Sequence, residues 1–485
     1  MNLSPRRPIF NRRPENNIYR MFLWTILIVG GLWVFYGVNR GEIQKFGLPT
    51  ATPTRSALSY TDQGDANFTA GNIGAAISAY GKALQVDPNN ASVWAKLAQI
   101  QTYSSSLKTT SEDRRAVLTD ALNSIDKAKA LAADDSTVAA IRAFVLDWNA
   151  STEVSGDRAP ALLTEAEQEA VRALQLDNTN ILALAYYAEI LIDEQNLTQA
   201  AQNITQALEK GQDLMDVHRV YAYLLETQGN YSQSIADYDK AIAIAPNLTF
   251  LYMRGGVNYR TLAFNSTIED QRLALYTKSL EYFAKAAAIN AQLEVKDPAP
   301  YISISRTYSQ LGEFYAAGRN LQKALEFSPD NPEVYGQLGI VFQRSRNFEG
   351  AIPALECAIK GCTADKSCDA RGGCDTAAGE KGVEVKGMEL SQSSVVYYYS
   401  YVSNLAALSR PKSNRCPEAR QVMAEIRAGG FDSDPIVSQI LQENENICKL
   451  VDSGLTVPTS TISPENYTPT PLPGAKYGTP TPLSP

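Results

Sequence analysis

Hydrophobic positions along this chain fall into two regimes. Residues 21–38, MFLWTILIVGGLWVFYGV, carry no charge. A helix of that length rises about 27 Å, enough to cross a hydrocarbon core. Beyond residue 57 the apolar positions recur three and four apart, which marks one face of an α-helix. A small residue, usually a large one four later, and an alanine three after that return along the chain. The sets are Ala76, Tyr80, Ala83; Ala121, Ile125, Ala128; Ala166, Ala170, Ala173; and Ala200, Ile204, Ala207. They continue as Ser234, Tyr238, Ala241; Ser279, Phe283, Ala286; Ala317, Leu321, Ala324; and Ala351, Leu355, Ala358. A second helical stretch precedes most sets, with Trp94–Leu97–Ala98, Tyr187–Ala188, Tyr221–Ala222, Tyr252–Gly256, Tyr301–Ser305 and Tyr335–Leu338–Gly339. Gly229-Asn230 and Gly312-Glu313 predict turns between paired helices, and Pro88, Pro246 and Pro329 predict helix ends.

Asn178, Gln212 and Pro246 keep a 34-residue beat. Period and residue pattern together resemble the tetratricopeptide repeat. That resemblance implies an all-α fold, a right-handed superhelical solenoid of helix-turn-helix repeats, preceded here by one transmembrane helix. It covers about eight repeats over residues 57–360 and extends more loosely, as a degenerate repeat and cap, over 395–450. Repeats at 91–134, 135–180 and 249–292 are each about eleven residues too long, close to three helical turns, so lengthened helix pairs would keep their phase. Ser111-Glu112-Asp113 and Pro160 suit the starts of two such helices. The register of Val138–Trp148 is ambiguous, because Arg142 falls near a position that wants a small residue.

Charge sets the expected topology. The net charge is −8, yet residues 1–40 hold six arginines against one glutamate. Arg6, Arg7, Arg12, Arg13 and Arg20 precede the apolar run, and only Arg40 and Lys45 follow closely. The positive-inside rule therefore predicts a cytoplasmic arm over 1–20, membrane attachment through 21–38, a linker over 39–56 and an exported repeat domain. A cleaved signal peptide is the competing reading; the run ends in bulky residues without a small-residue cleavage site, which favours an anchor. Residues 451–485, rich in Pro and Thr, read as an extended tail with too few large apolar residues to fold. The acidic body excludes nucleic acid as the main partner.

All six cysteines, Cys357, Cys362, Cys368, Cys374, Cys416 and Cys448, lie in one C-terminal stretch. Even, clustered cysteines in an exported segment predict disulfides. Over 361–394 a disulfide-stapled knob is the favoured reading. Zinc is weaker, because the C-x5-C-x5-C spacing lacks C-x2-C pairs and the single histidine, His218, is remote. A redox site is the third, held back by the absence of C-x-x-C. Cys416 and Cys448 are expected to tie the helix starting at Pro417 to the last helix, capping the array.

In repeats of this family the first helix of each pair lines the concave face. The resemblance places Asp65, Phe68, Tyr103, Glu189, Asp193, Arg219, Tyr223, Glu226, Phe250, Arg260, Arg306, Gln343 and Arg344 there. Arginine holds a carboxylate through two parallel hydrogen bonds, so Arg219, Arg260, Arg306 and Arg344 are the candidate grip on an acidic peptide, with Tyr223 and Phe250 as apolar anchors. A solvated or mutually paired set of charges is the alternative. Thr61 and Asp65 stand where chaperone-binding members have Lys and Asn, which speaks against chaperone-tail binding. No nucleophile elbow, phosphate loop, metal motif or dinucleotide fingerprint is present, and no cofactor is implied. The expected function is an interaction scaffold for protein or peptide partners rather than an enzyme; a spacer or assembly subunit of an envelope complex is the alternative.

Overall fold

The structure is a computed structural model that describes residues 17–40 and 55–455, apart from 109–110 and 375–380. Most of the arginine-rich arm, most of the linker and the Pro/Thr-rich tail lie outside the described residues. Helix α1 (Ile18–Asn39) forms one unit by itself. Its large side chains are exposed on every side, Trp24 and Trp33 included. A helix apolar all round needs an apolar environment, and α1 is long enough to span a bilayer. A signal sequence would share both properties.

From Ala57 onward the chain is a succession of antiparallel helix pairs, with no β-strand among the described residues. The first pairs are α2 (Ala57–Thr69) with α3 (Ile73–Val86), and α4 (Ala91–Ser105) with α5 (Ser111–Leu131). Next comes α6 (Ser136–Asn149), a short helix α7 (Thr152–Ser155), and α8 (Ala159–Leu176), which pairs with α6. Then follow α9 (Ile181–Asp193) with α10 (Leu197–Lys210), α11 (Met215–Thr227) with α12 (Tyr231–Ile244), and α13 (Thr249–Asn265) with α14 (Glu269–Gln292). The array continues with α15 (Ala299–Leu311) and α16 (Phe314–Phe327), then α17 (Pro332–Arg344) and α18 (Phe348–Ile359).

The seams between paired helices explain the sequence pattern. Ala76, Ala121, Ala166, Ala200, Ser234, Ser279, Ala317 and Ala351 are all fully buried, and so are the alanines seven residues later. Where serine replaces alanine its hydroxyl donates to a carbonyl of the partner helix: Ser234 to Ala222 and Ser279 to Gly256, both at 2.8 Å. Opposite three of the large residues the facing helix carries glycine. A methyl group on Gly64 would lie 2.6 Å from the Tyr80 ring, on Gly256 2.6 Å from Phe283, and on Gly339 2.4 Å from Leu355. The pairs are close-packed because the facing surfaces alternate large and small. Helix starts are fixed by side-chain caps: Asn72, Asn90, Asp135, Asn180 and Asn331 each accept from a backbone N–H of the first turn.

The long repeats resolve in two ways. In the second and sixth pairs the extra residues lengthen helices, to 21 residues in α5 and 24 in α14. In the third pair a lengthened helix is only part of the answer: α8 reaches 18 residues, and α7 with a tight turn at Gly156–Arg158 takes up the rest. Arg142 does not displace a small residue in the seam. Its guanidinium turns aside to Asp126 at 3.0 Å and Glu165 at 2.7 Å, leaving α6 buried along almost its whole length.

After α18 come a short helix α19 (Ala364–Ala370) and an irregular segment carried by an antiparallel bridge between Cys362 and Val385. Helices α20 (Val395–Leu408), α21 (Cys416–Ala428) and α22 (Pro435–Asp452) close the array. The disulfides join Cys357 to Cys362, Cys368 to Cys374, and Cys416 to Cys448. The last crosses from the start of α21 to the end of α22, where a packed solenoid end must cover its apolar face.

A self-filled interior and an open face

The first helices of the pairs turn inward, and over the first five pairs their side chains fill the interior. The chain returns on itself there. Phe250, at the start of α13, stacks on Tyr103 of α4 with ring centroids 5.3 Å apart, and Phe68 of α2 stacks on Tyr103 at 6.0 Å. A methyl group on Gly71, in the first turn of the array, would lie 2.3 Å from the Asn247 carbonyl. Phe144, Trp148 and Tyr186 complete the aromatic packing, with Phe144 stacked 4.5 Å from Tyr186.

Arg219 of α11 projects into this aromatic interior. Its guanidinium donates to both carboxylate oxygens of Glu189, at 2.6 and 2.7 Å, and to Asp216 at 3.2 Å. It lies 5.5 Å from the Phe144 ring centroid and 5.9 Å from those of Tyr103 and Trp148. Asp216 also accepts from the Tyr103 hydroxyl. A second buried pair lies one turn on: Arg254 donates to Glu226 at 2.9 Å, and Asn258 donates to the same carboxylate at 3.1 Å. Acids outnumber bases in the interior, and Asp147 and Asp193 carry the surplus. Burial pushes both carboxyls up; Asp193 raises Asp147 further, whereas the hydrogen bond with Asp147 pulls Asp193 down and Glu189 pushes it up. Asp193 reaches about 7 although the Tyr223 hydroxyl donates to it at 2.6 Å. The two therefore share a proton near neutral pH.

His218, the one histidine, is bound at both ring nitrogens, to Asp237 and to the Gln212 carbonyl, each at 3.0 Å. Among the described residues no three His, Cys, Asp or Glu side chains gather as a metal site would require.

The face changes character at α13. Arg260 donates to the Ser303 carbonyl of α15 at 3.2 Å and lies 5.4 Å from the Phe283 ring centroid, with no carboxylate within ion-pair distance among the described residues. Burial and then the like charge of Arg306 lower it to about 9. Arg306 is partly exposed; its nearest acid is Glu333 at 3.7 Å, and its buried Nε lacks a hydrogen-bond partner. Beyond it on the same side lie Gln337 of α17 and Tyr397 of α20, whose hydroxyl burial pushes well up. Arg344 ends α17 and is partly exposed.

The six residues nominated for partner binding thus divide. Arg219, Tyr223 and Phe250 belong to the filled interior, bound respectively to Glu189, Asp193 and Tyr103. Arg260, Arg306 and Arg344 lie beyond it, on α13, α15 and α17. The sequence reading missed Phe144, Asp147, Trp148 and Asp216 as partners of Arg219. For Phe144, Asp147 and Trp148 the signal was α6 itself, a largely apolar stretch of the kind that is buried all round; Asp216, on α11, gave none.

Three segments match models of the tetratricopeptide repeat: residues 64–102, 188–248 and 299–331. No curated protein matches the chain. Among solved structures, one similar chain comes from the APC/C hetero-tetramer Cut9–Hcn1, at 14% identity over 66% of this chain and 54% of that one, with a TM-score of 0.44. This chain therefore spans about half the length of that relative. A tetratricopeptide repeat protein from Parabacteroides merdae is 17% identical over 60% of this chain and 100% of its own, with a TM-score of 0.34. PilW, a type IV pilus biogenesis factor, is 18% identical over 44% and 90%, with a TM-score of 0.35.

The shared proton predicts a pH dependence. Asp193 binds a proton more tightly in the folded chain than at its ordinary value of 3.8, so stability falls as pH rises from about 4 to about 7 and stays low above. Asp147→Asn removes one of the two charges and can donate to Asp193. It is expected to flatten that decline and to stabilise the protein at pH 8 by about 1–3 kcal/mol, measured by urea unfolding at pH 5 and pH 8. Equal destabilisation at both pH values would contradict the shared-proton account.

Proposed function

We propose that this chain, which carries tetratricopeptide repeats and so is built for protein–protein contacts, is a membrane-anchored scaffold whose second half receives partners outside the cytoplasm. The observation that carries the reading is the arginine pair. Arg260 and Arg306 stand together on α13 and α15, and Arg260 lacks the neighbouring carboxylate that neutralises Arg219 and Arg254 in the interior. Two like charges in a partly enclosed site repel until an anion enters. A carboxylate from an acidic peptide relieves that repulsion. Glu333 stands at the exposed edge of the site, held by Gln337, which donates to it at 3.1 Å, while Gln337 and Tyr397 are themselves buried beneath. Interior arginines, already held by two or more acceptors, have nothing to gain from a partner.

The filled first half suits a structural task. It stands in sequence between the apolar helix and the open face, and it resists deformation because its inner surface is packed. An anchor at α1 is supported by that helix's length and apolar surface, and export by the arginines on its N-terminal side.

Two outcomes test this reading. Arg260→Gln with Arg306→Gln is expected to lower crosslinked capture of an acidic partner from intact membranes about tenfold, while Asp147→Asn leaves capture unchanged. Capture indifferent to the double variant places the docking surface elsewhere. Protease added to intact cells is expected to digest the region beyond residue 55 and to spare the segment before α1; protection of the repeats would reverse the topology.

A further inference from the structure

The three disulfides sit in different environments. Cys357, Cys362, Cys416 and Cys448 are buried, the last two completely. Cys368 and Cys374 are half-exposed, at the end of α19 and in the turn that follows. Between those two sulfurs and the body of the solenoid lies Arg371, itself 6% exposed. Its guanidinium donates to Cys374 Sγ at 2.8 Å and lies 3.8 Å from Cys368 Sγ. Its remaining contacts are carbonyl oxygens, those of Leu325 at 3.2 Å, Lys381 at 3.3 Å and Ser367 at 3.4 Å. Among the described residues no carboxylate lies within ion-pair distance of it. A buried cation held only by carbonyl dipoles gains most from an added negative charge, and the nearest atom able to take one is Cys374 Sγ.

We propose that Cys368–Cys374 is an exchangeable disulfide, opened by a thiol reductant that attacks Cys368 and expels Cys374 as a thiolate paired with Arg371. The incoming thiolate forms a new S–S bond to Cys368 Sγ as the old bond breaks, and the bonding pair leaves on Cys374. A second thiol of the reductant then displaces Cys368 from the mixed disulfide. The protein gains two electrons and ends with two thiols, and the reductant leaves as its own disulfide. Leaving-group stability governs the rate of such exchange, and a fixed cation 2.8 Å from the departing sulfur supplies it. Neither of the other pairs has this arrangement: their sulfurs are buried, and among the described residues no guanidinium donates to them.

Opening the pair has a defined structural reach. Arg371 also ties α19 to α16, through its contact with Leu325 and through Gln322, which donates to the Arg371 carbonyl at 2.7 Å. A Cys374 thiolate keeps Arg371 in place by charge, whereas further oxidation or capping of that sulfur removes the contact. The insert thus responds to the thiol status of its surroundings without disturbing the stapled cap.

The experiment uses the full oxidised chain. Dithiothreitol is added in graded amounts at pH 7, the reaction is quenched by alkylation, and each cysteine is quantified by mass spectrometry. Cys368 and Cys374 are expected to label first, at least tenfold faster than the other four. Arg371→Gln is expected to slow their reduction about three- to tenfold, and Arg371→Lys to restore most of the rate. Because Arg371→Gln also removes packing, a second measurement separates charge from looseness. In Cys368→Ser, the Cys374 thiol is expected to react with iodoacetamide at pH 7 several-fold faster than in Cys368→Ser with Arg371→Gln. Reduction of all three pairs together, or a rate unchanged or raised in Arg371→Gln with no difference in alkylation, overturns the proposal.

Discussion

Phe250 on Tyr103 is the contact on which the rest of the molecule turns. Those rings belong to the sixth and second helix pairs, and by meeting they close the first half of the array on itself. Once closed, the inner surface is no longer washed by solvent. Its polar groups then have to find partners within the protein, because each buried charge left alone costs several kcal/mol. Arg219 with Glu189 and Asp216, and Arg254 with Glu226, meet that demand. Protonation of Asp147 and Asp193 lowers what remains of it, although Asp147 Oδ1 still has no hydrogen-bond partner.

The same closure defines where a partner has room. A groove is a concavity whose side chains have not already satisfied one another. As far as Phe250 and Arg254 of α13 they have: aromatic rings fill the space and carboxylates hold the arginines. Farther along, Arg260 of α13 and Arg306 of α15 keep incomplete coordination.

The helix pairs were legible in the sequence because their cause is local. A seam of small residues facing large ones is written within thirty-four residues, and each instance, from Ala76 with Tyr80 to Ala351 with Leu355, is buried as its spacing implies. The closure was not legible, because it depends on small rotations accumulated over several pairs and on how the extra residues of the second, third and sixth repeats are absorbed. Positions taken from an open superhelix therefore put Arg219, Tyr223 and Phe250 in the same class as Arg260 and Arg306. Arg371 was invisible for a related reason: its role comes from sulfurs three residues to either side, and only the turn at Gly372–Gly373 swings Cys374 back to it.

Closure makes a claim that an ordinary solenoid does not. In a linear array a substitution loosens its own pair and the next, since contacts run only between neighbours. Hydrogen exchange of Phe250→Ala, compared with the native chain, tests this directly. The account predicts faster exchange in residues 57–105 together with residues 249–265, although three complete helix pairs separate them in sequence. Acceleration confined to residues 231–292, with α2 and α4 as protected as before, would contradict it.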